Sequence, residues 1–380
     1  MSPLSAPARP SRLLPAILLA VAAIGAVGLF VGRPGGHDDP PAAPAKARGP
    51  APLPYEVPDT PADEKLPEPF AFVAPDGDDG GDCGRESPCA TFDRAYHAAA
   101  PGDVVEVAAG SYPEQILQYD PRRISDRDVT FRPAAGAAVK LAGLTFGHWT
   151  DDRGAAHVQV RDMNVGEIMA RRGEDLTFRN LTMRSFWVEG GRDLRFVGGS
   201  VGGIKGANPW LGTWRGTDGS TQTPKDVVID GVEFHDVRMQ KASDHIECLH
   251  VNDVDGLVVR NSRFHDCDTF DMLVMYGDNE ELRDILVEHN VFASTGNSFG
   301  GPSYFGLSLR FGHNVTVRGN TSPAPWAGPD AGGGTVSGAW TVEGNTFPGL
   351  QSCPGGITFR DNTWTGPHAE ACGPTDHVAP

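Results

Sequence analysis

A short stretch near the middle of the chain combines acidic and histidine side chains in a pattern that could bind or cleave a sugar chain. It reads DHIECLHV over residues 244–251. In an extended strand, alternate residues share a face. Ile246 and Cys248 suit a core, so we expect His245 and Glu247 to point outward, where they could reach a ligand.

Two later segments supply further candidate side chains. TFDMLVMY contains Asp271, and YFGLSLRF ends near Arg310, with His313 just beyond it. If the segments stack as neighbouring strands, Glu247 and Asp271 lie about 5 to 10 Å apart. That range contains both the retaining and the inverting geometry of glycosidases, so the strand register decides between them.

This set of residues allows two kinds of glycosidic cleavage. In a hydrolase, one carboxyl group protonates the leaving oxygen and the other activates water or attacks the sugar. In a lyase acting on uronates, Arg310 neutralises the sugar carboxylate and a base removes the adjacent proton. His245 is a better base than Lys241, because its ordinary pKa lies near neutrality. The alternative is that these side chains simply form a solvated face.

Aromatic residues suggest where a sugar could stack. The segment GANPWLGTWRGTDGSTQTPKD contains Trp210 and Trp214 and interrupts the strand pattern as an insertion, and such loops often form a binding wall on a repeat protein. Together with these two tryptophans, Tyr276 and His313 are candidate substrate-binding residues. The alternative role for both tryptophans is to pin the inserted loop to the scaffold.

A resident metal ion is not expected from these motifs. His245 and His250 should project to opposite faces unless the strand ends between them, and no group has zinc-type spacing. Calcium is the one possible cofactor, since carboxylates crowd two places. These are a turn with Asp76, Asp78, Asp79 and Asp82, and a strand region with Asp266, Asp268 and Asp271. Solvated turns explain both clusters equally well.

The surrounding chain is a ragged strand repeat. An apolar residue is followed five positions later by another, and the units begin 17 to 33 residues apart. Such units cannot bury their apolar faces alone, so stacking at about 4.8 Å predicts an all-β solenoid, a parallel β-helix. The units are Val160 with Val165, Phe178 with Met183, Phe196 with Val201, Ile229 with Phe234, Val259 with Phe264, Val287 with Phe292, Val342 with Phe347, and Phe359 with Trp364.

Asparagine recurs at one place in this repeat. Asn290, Asn320, Asn345 and Asn362 each fall three residues after the first apolar position. Asparagine there can take left-handed backbone angles or stack in a hydrogen-bonded ladder. Either role is structural rather than catalytic.

The composition changes along the chain and divides it into three parts. Residues 1–34 contain an uncharged apolar run of nineteen residues, about long enough to span a bilayer, which favours a membrane anchor over a cleaved signal peptide. Residues 35–69 are rich in proline and alanine and read as a linker. Residues 70–375 carry the repeat, so we expect one elongated domain outside the membrane.

Six cysteines in an exported chain indicate disulfides. The sequence alone permits fifteen pairings. Local spacing favours Cys83 with Cys89, Cys248 with Cys267, and Cys353 with Cys372. The second bridge would hold the candidate site rigid, because its cysteines bracket that stretch.

The start of the repeat domain resembles a known family. PCATFDRAYHAAAPGD predicts a short helix capped by Thr91 or Asp93, which would cover the open end of the coil, and VVEVAAGSY predicts the first strand. This motif resembles the start of exported right-handed β-helix proteins of the pectin-lyase-like superfamily, in an uncharacterised subgroup. The resemblance implies a three-sheet solenoid and carbohydrate as the ligand class. It transfers no mechanism, because polygalacturonase-type catalytic motifs are not matched.

The overall charge narrows the range of partners. A formal net charge of −17 argues against nucleic acid and does not favour a strongly anionic polymer. A local patch can still receive a uronate, because charges are screened beyond about 8 Å. We therefore expect a monomeric extracytoplasmic protein that binds or cleaves polysaccharide. The alternative is a noncatalytic module that presents its surface to a glycan or a protein.

Overall fold

The computed structural model describes residues 53, 65–148, 153–277, 279, 281–301, 305–329, 336–367 and 369–379. The predicted anchor lies outside the described residues, and so does most of the predicted linker. No helix in the described ranges has the length and the apolar character needed to cross a membrane.

The described chain is almost entirely strand. Its one helix there is α1 (Phe92–Ala98). The first strands are β1 (Ala71–Val73), β2 (Val104–Val107), β3 (Gly110–Tyr112), β4 (Gln115–Leu117), β5 (Val129–Pro133), β6 (Val139–Leu141), β7 (Leu144–Phe146), β8 (Ala156–Arg161), β9 (Asn164–Arg171), β10 (Glu174–Arg179) and β11 (Thr182–Glu189).

The middle of the chain continues in the same way. Its strands are β12 (Arg192–Val197), β13 (Ser200–Lys205), β14 (Trp210–Gly212), β15 (Trp214–Arg215), β16 (Thr221–Gln222), β17 (Lys225–Asp230), β18 (Glu233–Arg238), β19 (Glu247–Asn252), β20 (Val254–Arg260), β21 (Arg263–Cys267) and β22 (Phe270–Met275). The last are β23 (Leu282–Glu288), β24 (Val291–Phe292), β25 (Phe305–Leu309), β26 (Gly312–Arg318), β27 (Trp326–Ala327), β28 (Val336–Glu343), β29 (Thr346–Phe347), β30 (Ile357–Arg360), β31 (Thr363–Trp364) and β32 (His377–Val378).

Sheet A is one side of the solenoid. Its twelve parallel strands run in the order β1-β2-β5-β8-β10-β12-β17-β20-β23-β26-β28-β30. The predicted first apolar positions face one another across this sheet: Phe178 pairs with Val160 and Phe196, and Phe196 pairs with Ile229. These side chains are buried, so the repeat predicted both the sheet and its register correctly.

The other two sides branch from β9 and β11. Face B contains β3, β6, β13, β18, β21 and β24 with the first residues of those two strands, and face C contains β4, β7, β14, β19, β22, β25 and β27 with their last residues. Phe234 and Phe264 stack in face B with ring centroids 4.7 Å apart. Each coil therefore crosses sheet A, face B and face C in turn, which confirms the predicted three-sheet right-handed β-helix.

Two polar columns follow the edges of sheet A. The predicted asparagine ladder is present, since Asn290 donates to Asn320, Asn320 to Asn345 and Asn345 to Asn362, each at 3.0 Å. The residue with left-handed backbone angles is the one that directly precedes the ladder asparagine, for example His289 before Asn290. At the opposite edge, left-handed residues form a second column: His157, Asp175, Asp193, Asp226, Gly256, Asp284, Asn314 and Gly338.

Helix α1 packs on the first coils. Thr91 is its N-cap and accepts a hydrogen bond from the backbone N–H of Arg94 at 3.1 Å, as one of the two predicted caps. Phe92 stacks on Phe131, with centroids 4.7 Å apart, and the hydroxyl of Tyr96 donates to the carbonyl of Ala156 at 2.7 Å. That α1 shields an open end of the coil stays a prediction.

All three predicted disulfides are present. Cys83 bonds to Cys89, Cys248 to Cys267, and Cys353 to Cys372. The second bridge joins β19 of face C to β21 of face B within adjacent coils. It therefore ties two sides of the solenoid together next to Glu247.

Leu53, inside the predicted linker, lies against the solenoid. It packs on Val228, Val258 and Leu286, which form an apolar stripe separate from the main core. These three residues pair with one another across sheet A, in β17, β20 and β23. The outer surface of sheet A is therefore apolar at this place.

Candidate functional site

Glu247 begins strand β19 on face C, and its side chain is fully buried. We predicted an exposed carboxylate, and that is wrong. Residues 239–246 form no strand, so the alternation of faces does not run from His245 into β19. Within β19, Leu249 and Val251 enter the core, whereas His250 lies on the outer side, half-buried.

Two histidines hold the Glu247 carboxylate. Its Oε2 lies 2.9 Å from Nδ1 of His250, at hydrogen-bond distance. Its Oε1 forms an ion pair with Nδ1 of His245, but that contact lacks the angles of a hydrogen bond. Both histidines reach the same carboxylate because the strand begins between them, at Glu247, which is the exception allowed for in the prediction. Burial alone would raise the pKa of Glu247, but the contacts with His245 and His250 outweigh it and lower that pKa to about 2. Glu247 is therefore an anion at neutral pH.

His245 is the exposed member of this group. Its side chain is 58% exposed, while the carboxylate it contacts is 0% exposed. Its ring lies against Phe270, with centroids 5.1 Å apart. Contact with Glu247 raises the pKa of His245, although partial burial opposes that effect. The result is a solvent-facing imidazole whose orientation is fixed from below, the arrangement that a general base requires.

An aromatic pair continues from the histidines along face C. His250 also contacts Oδ1 of Asn252 through its Nε2, at 2.9 Å, and is paired in the strand ladder with Trp210. Trp210 pairs in turn with Trp187, and their rings stack with centroids 4.5 Å apart. Both rings are half-buried. Trp210 was predicted as a loop residue, but it lies in strand β14 of face C.

Asp271 does not join Glu247. The ladder pairs Glu247 with Phe270 and Leu249 with Met272, so Asp271 is level with Cys248, one residue out of step. Asp271 is fully buried and accepts a hydrogen bond from the backbone N–H of Ser294 at 3.3 Å. Its Oδ1 has no hydrogen-bond partner in the described ranges. The predicted outward carboxylate pair is therefore wrong.

Burial dominates the charge state of Asp271. It raises the pKa of this carboxyl group to about 7, and the hydrogen bonds from Ser294 oppose it only in part. Asp271 is thus a neutral acid over much of the range in which Glu247 is an anion. It has no open approach for a sugar, so it fits a buried structural residue better than a catalytic one.

Arg310 and His313 are farther from this centre. Val274 pairs with both Val251 and Leu309, so Arg310 lies two coils from β19, about 10 Å along the solenoid axis. It is also level with Asn252, about 16 Å along the strand from Glu247. His313 belongs to sheet A, beside Arg283, and its Nδ1 lies 3.1 Å from the hydroxyl of Ser337. Arg310 can reach a long ligand on face C, whereas His313 stands on another side.

The remaining aromatic candidates are engaged by the protein. Trp214 lies in the hairpin of β15 and β16, with the guanidinium of Arg172 4.1 Å from its ring centroid. Tyr276 stacks on Phe311, with centroids 5.5 Å apart. Trp214 therefore matches the alternative of a tryptophan that pins the inserted hairpin.

The two carboxylate clusters considered for calcium serve the protein itself. In the first, Asp79 accepts backbone N–H groups of Ala90 and Thr91 at 2.8 and 3.0 Å. In the second, Arg238 contacts both Asp266 and Asp268 and so takes the place that a cation would need. Asp271 is bonded elsewhere, so neither cluster favours calcium. The described residues that do converge as a metal-capable group are Asp128, His157 and Asp175.

Several members of the site were not predicted. They are Trp187, His250 as a partner of Glu247, Asn252 and Phe270. Trp187 belongs to one of the weaker repeats, in TMRSFWVE, and only the pairing of β11 with β14 shows that it stands beside Trp210. A search for aromatic residues five positions after a first apolar site would have missed it.

The fold and this surface define a three-sided parallel β-helix protein. No family model and no curated protein matches the chain. Among solved structures, it is similar to PfbA, a surface adhesin of Streptococcus pneumoniae (TM-score 0.46, 12% identity, 72% of this chain and 80% of that one). It is also similar to XylC in complex with xylose (0.45, 10%, 81% and 69%) and to a rhamnogalacturonan lyase (0.35, 11%, 81% and 86%). All three likenesses have TM-scores below 0.5, so they carry no argument about activity.

Proposed function

We propose that this protein binds polysaccharide on the outer surface of face C and cleaves it by proton abstraction, with His245 as the base. The observation that carries the proposal is an exposed imidazole fixed by a buried, ionised carboxylate, Glu247. In such an arrangement the carboxylate holds the imidazole in the orientation that it needs to act as a base. The three disulfides support a location in an oxidising compartment outside the cytoplasm.

The geometry favours elimination over hydrolysis. Hydrolysis by the usual route needs a protonated carboxyl group and a second carboxylate on either side of the bond. Glu247 has a pKa of about 2 and cannot supply that proton at neutral pH, and Asp271 is fully buried and one residue out of register with it. An eliminating enzyme needs a base and a cation that holds the sugar carboxylate. His245 is the base, whereas Arg310 lies two coils away and about 16 Å along the strand direction, so it can hold only a more distant sugar of a long chain.

The proposed step balances without any other reactant. Neutral His245 removes the proton next to the uronate carboxylate. That electron pair forms a carbon–carbon double bond, and the glycosidic oxygen leaves with its electrons and takes a proton from solvent. Contact with Glu247 raises the pKa of His245, so the neutral form increases as pH rises through that value. Activity should therefore be higher on the alkaline side.

A second candidate function rests on the stacked pair Trp187 and Trp210. Tryptophan faces bind sugar rings by stacking, and this pair lies on the same face as His250. A module with this surface could hold a glycan without cleaving it. The membrane anchor predicted in residues 1–34 would then display it at the cell surface.

One assay separates these alternatives. Purified protein is incubated with neutral and acidic polysaccharides, and both unsaturated uronate and new reducing ends are measured, together with binding to the immobilised polymers. Unsaturated product that disappears in His245→Gln supports the proposal. Reducing ends without unsaturation would show hydrolysis and overturn the role of His245 as a base. Binding without either product supports the second function, and no binding at all rejects both.

A further inference from the structure

A second group of chemically active side chains lies on sheet A, away from face C. Asp128 precedes β5, His157 lies in β8 and Asp175 in β10, so three successive coils each contribute one residue. Val129 pairs with Val158 and Leu176 with Val158, which puts these three residues in one row. One donor atom from each lies within 4.8 Å of the others.

We propose that Asp128, His157 and Asp175 form a binding site for a divalent transition-metal ion such as Zn²⁺. An imidazole nitrogen with two carboxylate oxygens is a donor set that such ions accept, with metal–ligand distances of about 2.0 to 2.2 Å. Nδ1 of His157 lies 2.9 Å from Oδ2 of Asp175. Two ligands at the tetrahedral angle on an ion with bonds of about 2.1 Å are separated by about 3.4 Å, so the two side chains must part by only about 0.5 Å.

Asp128 gives the second and independent observation. Its Oδ1 is buried and has no hydrogen-bond partner among the described residues. A buried carboxylate oxygen without a partner costs free energy, and a cation would satisfy it. The protein alone therefore leaves this carboxyl group without a strong partner.

The neighbouring arginine leaves room for an ion. Nη1 of Arg195 lies 3.5 Å from Oδ1 of Asp175, whereas Oδ2 of that residue faces His157. Asp128 and Asp175 also line a surface cavity of about 520 Å³, through which an ion and water can enter. His157 lines an adjoining cavity of about 580 Å³. The site is thus reachable from solvent while its ligands stay partly buried.

The left-handed backbone of His157 and Asp175 is not specific to this site. The same column continues with Asp193 and Asp226, which belong to later coils. What distinguishes the coils of β5, β8 and β10 is the imidazole of His157 and the unpartnered oxygen of Asp128. A zinc ion there would link three coils near the beginning of the solenoid, and its binding would release protons from the ligands.

Titration calorimetry with Zn²⁺ tests this site, using the full-length protein at pH 7 in two buffers of different ionisation enthalpy. We expect one site per chain and proton release on binding. His157→Gln and Asp128→Asn should weaken binding at least about tenfold. His235→Gln is the matched control, because His235 also pairs with an aspartate, Asp236, at 3.0 Å on an outer surface, and it should keep the parent affinity.

Thermal unfolding supplies the second readout. Zn²⁺ should raise the unfolding temperature of the parent and of His235→Gln, since an ion that binds only the folded state stabilises it. It should not raise that of Asp128→Asn, which changes a single oxygen and is expected to fold. Failure of the parent to bind Zn²⁺, or parent-like binding by both His157→Gln and Asp128→Asn, overturns the assignment.

Discussion

Replacing Asp271 with asparagine should make the protein more stable at alkaline pH. The pKa of Asp271 is raised from 3.8 to about 7 by burial, so the folded state keeps a proton that the unfolded chain has already lost. The contribution of such a group to the free energy of unfolding is fully present below the pKa that the group has in the unfolded chain. It is lost as the pH rises through the pKa that the group has in the folded protein. With about 1.4 kcal/mol for each pKa unit, the cost is about 4 kcal/mol at pH 8 and less than half of that at pH 5.

Urea denaturation of the parent and of Asp271→Asn at pH 5 and pH 8 measures this effect. Asparagine resembles the neutral acid in shape and never ionises, so the variant should gain about 3 kcal/mol relative to the parent between the two pH values. Other titrating groups are common to both proteins and cancel in the difference. An equal difference at both pH values would refute the reasoning, because it would mean that Asp271 ionises as easily when folded.

Asp268→Asn is the matched control. Asp268 is equally buried, but Arg238, the backbone N–H of Met239 and Ser298 all bond to it. Although burial alone would raise its pKa, these hydrogen bonds outweigh burial and lower it. Its contribution to stability is present above the unfolded pKa and is lost as pH falls through the folded one. The control should therefore be less stable than the parent at pH 8, opposite in sign to Asp271→Asn.

Three further predictions concern the face C surface and the core. Trp187→Ala should weaken glycan binding about tenfold or more, whereas Trp214→Ala, whose ring is covered by arginine, should bind like the parent in affinity electrophoresis. Asn320→Ala should lower the free energy of unfolding by about 2 to 4 kcal/mol, because it leaves buried partners on two coils unpaired, and a loss below about 0.5 kcal/mol in urea titration would count against the ladder. Replacing Cys248 and Cys267 with serine should cost about 3 kcal/mol, and an unchanged melting temperature would contradict that.

Much of the solenoid could be predicted because its repeat reflects direct stacking. Phe196 and Ile229 are 33 residues apart in sequence yet pair in adjacent strands of sheet A. The insertion between them adds β14 and a hairpin without disturbing that pairing. The asparagine ladder and the short-range disulfides could be predicted for the same reason. Each depends only on the position of a residue within its coil and on the neighbouring coil.

The geometry of the candidate site was less predictable. His245 and Glu247 were found as candidates, but strict alternation was assumed across residues that form no strand. The strand begins at Glu247, and His250 bends back to meet it, so local chain direction decided the contacts. The prediction that Asp271 pairs with Glu247 was wrong for a related reason. A shift of one residue in strand register changes which side chains lie at the same level.

Contacts between neighbouring coils of irregular length were the hardest to foresee. Trp187 and Trp210 come together only because β14 is inserted next to β11. Asp128 and His157 are 29 positions apart and belong to coils of irregular length, so neither composition nor spacing pointed to a shared site. Such groups follow from the exact length of each coil, which turn and loop residues set.

The most direct test of the proposed site is an NMR titration of His245 in the parent and in Glu247→Gln. We predict a pKa above the ordinary value of about 6.5 in the parent, because the buried carboxylate stabilises the imidazolium. That pKa should fall in Glu247→Gln, because the substitution removes the negative charge beside the ring. A His245 pKa that is ordinary in the parent, or that does not respond to the substitution, would contradict the view that Glu247 orients this residue as a base.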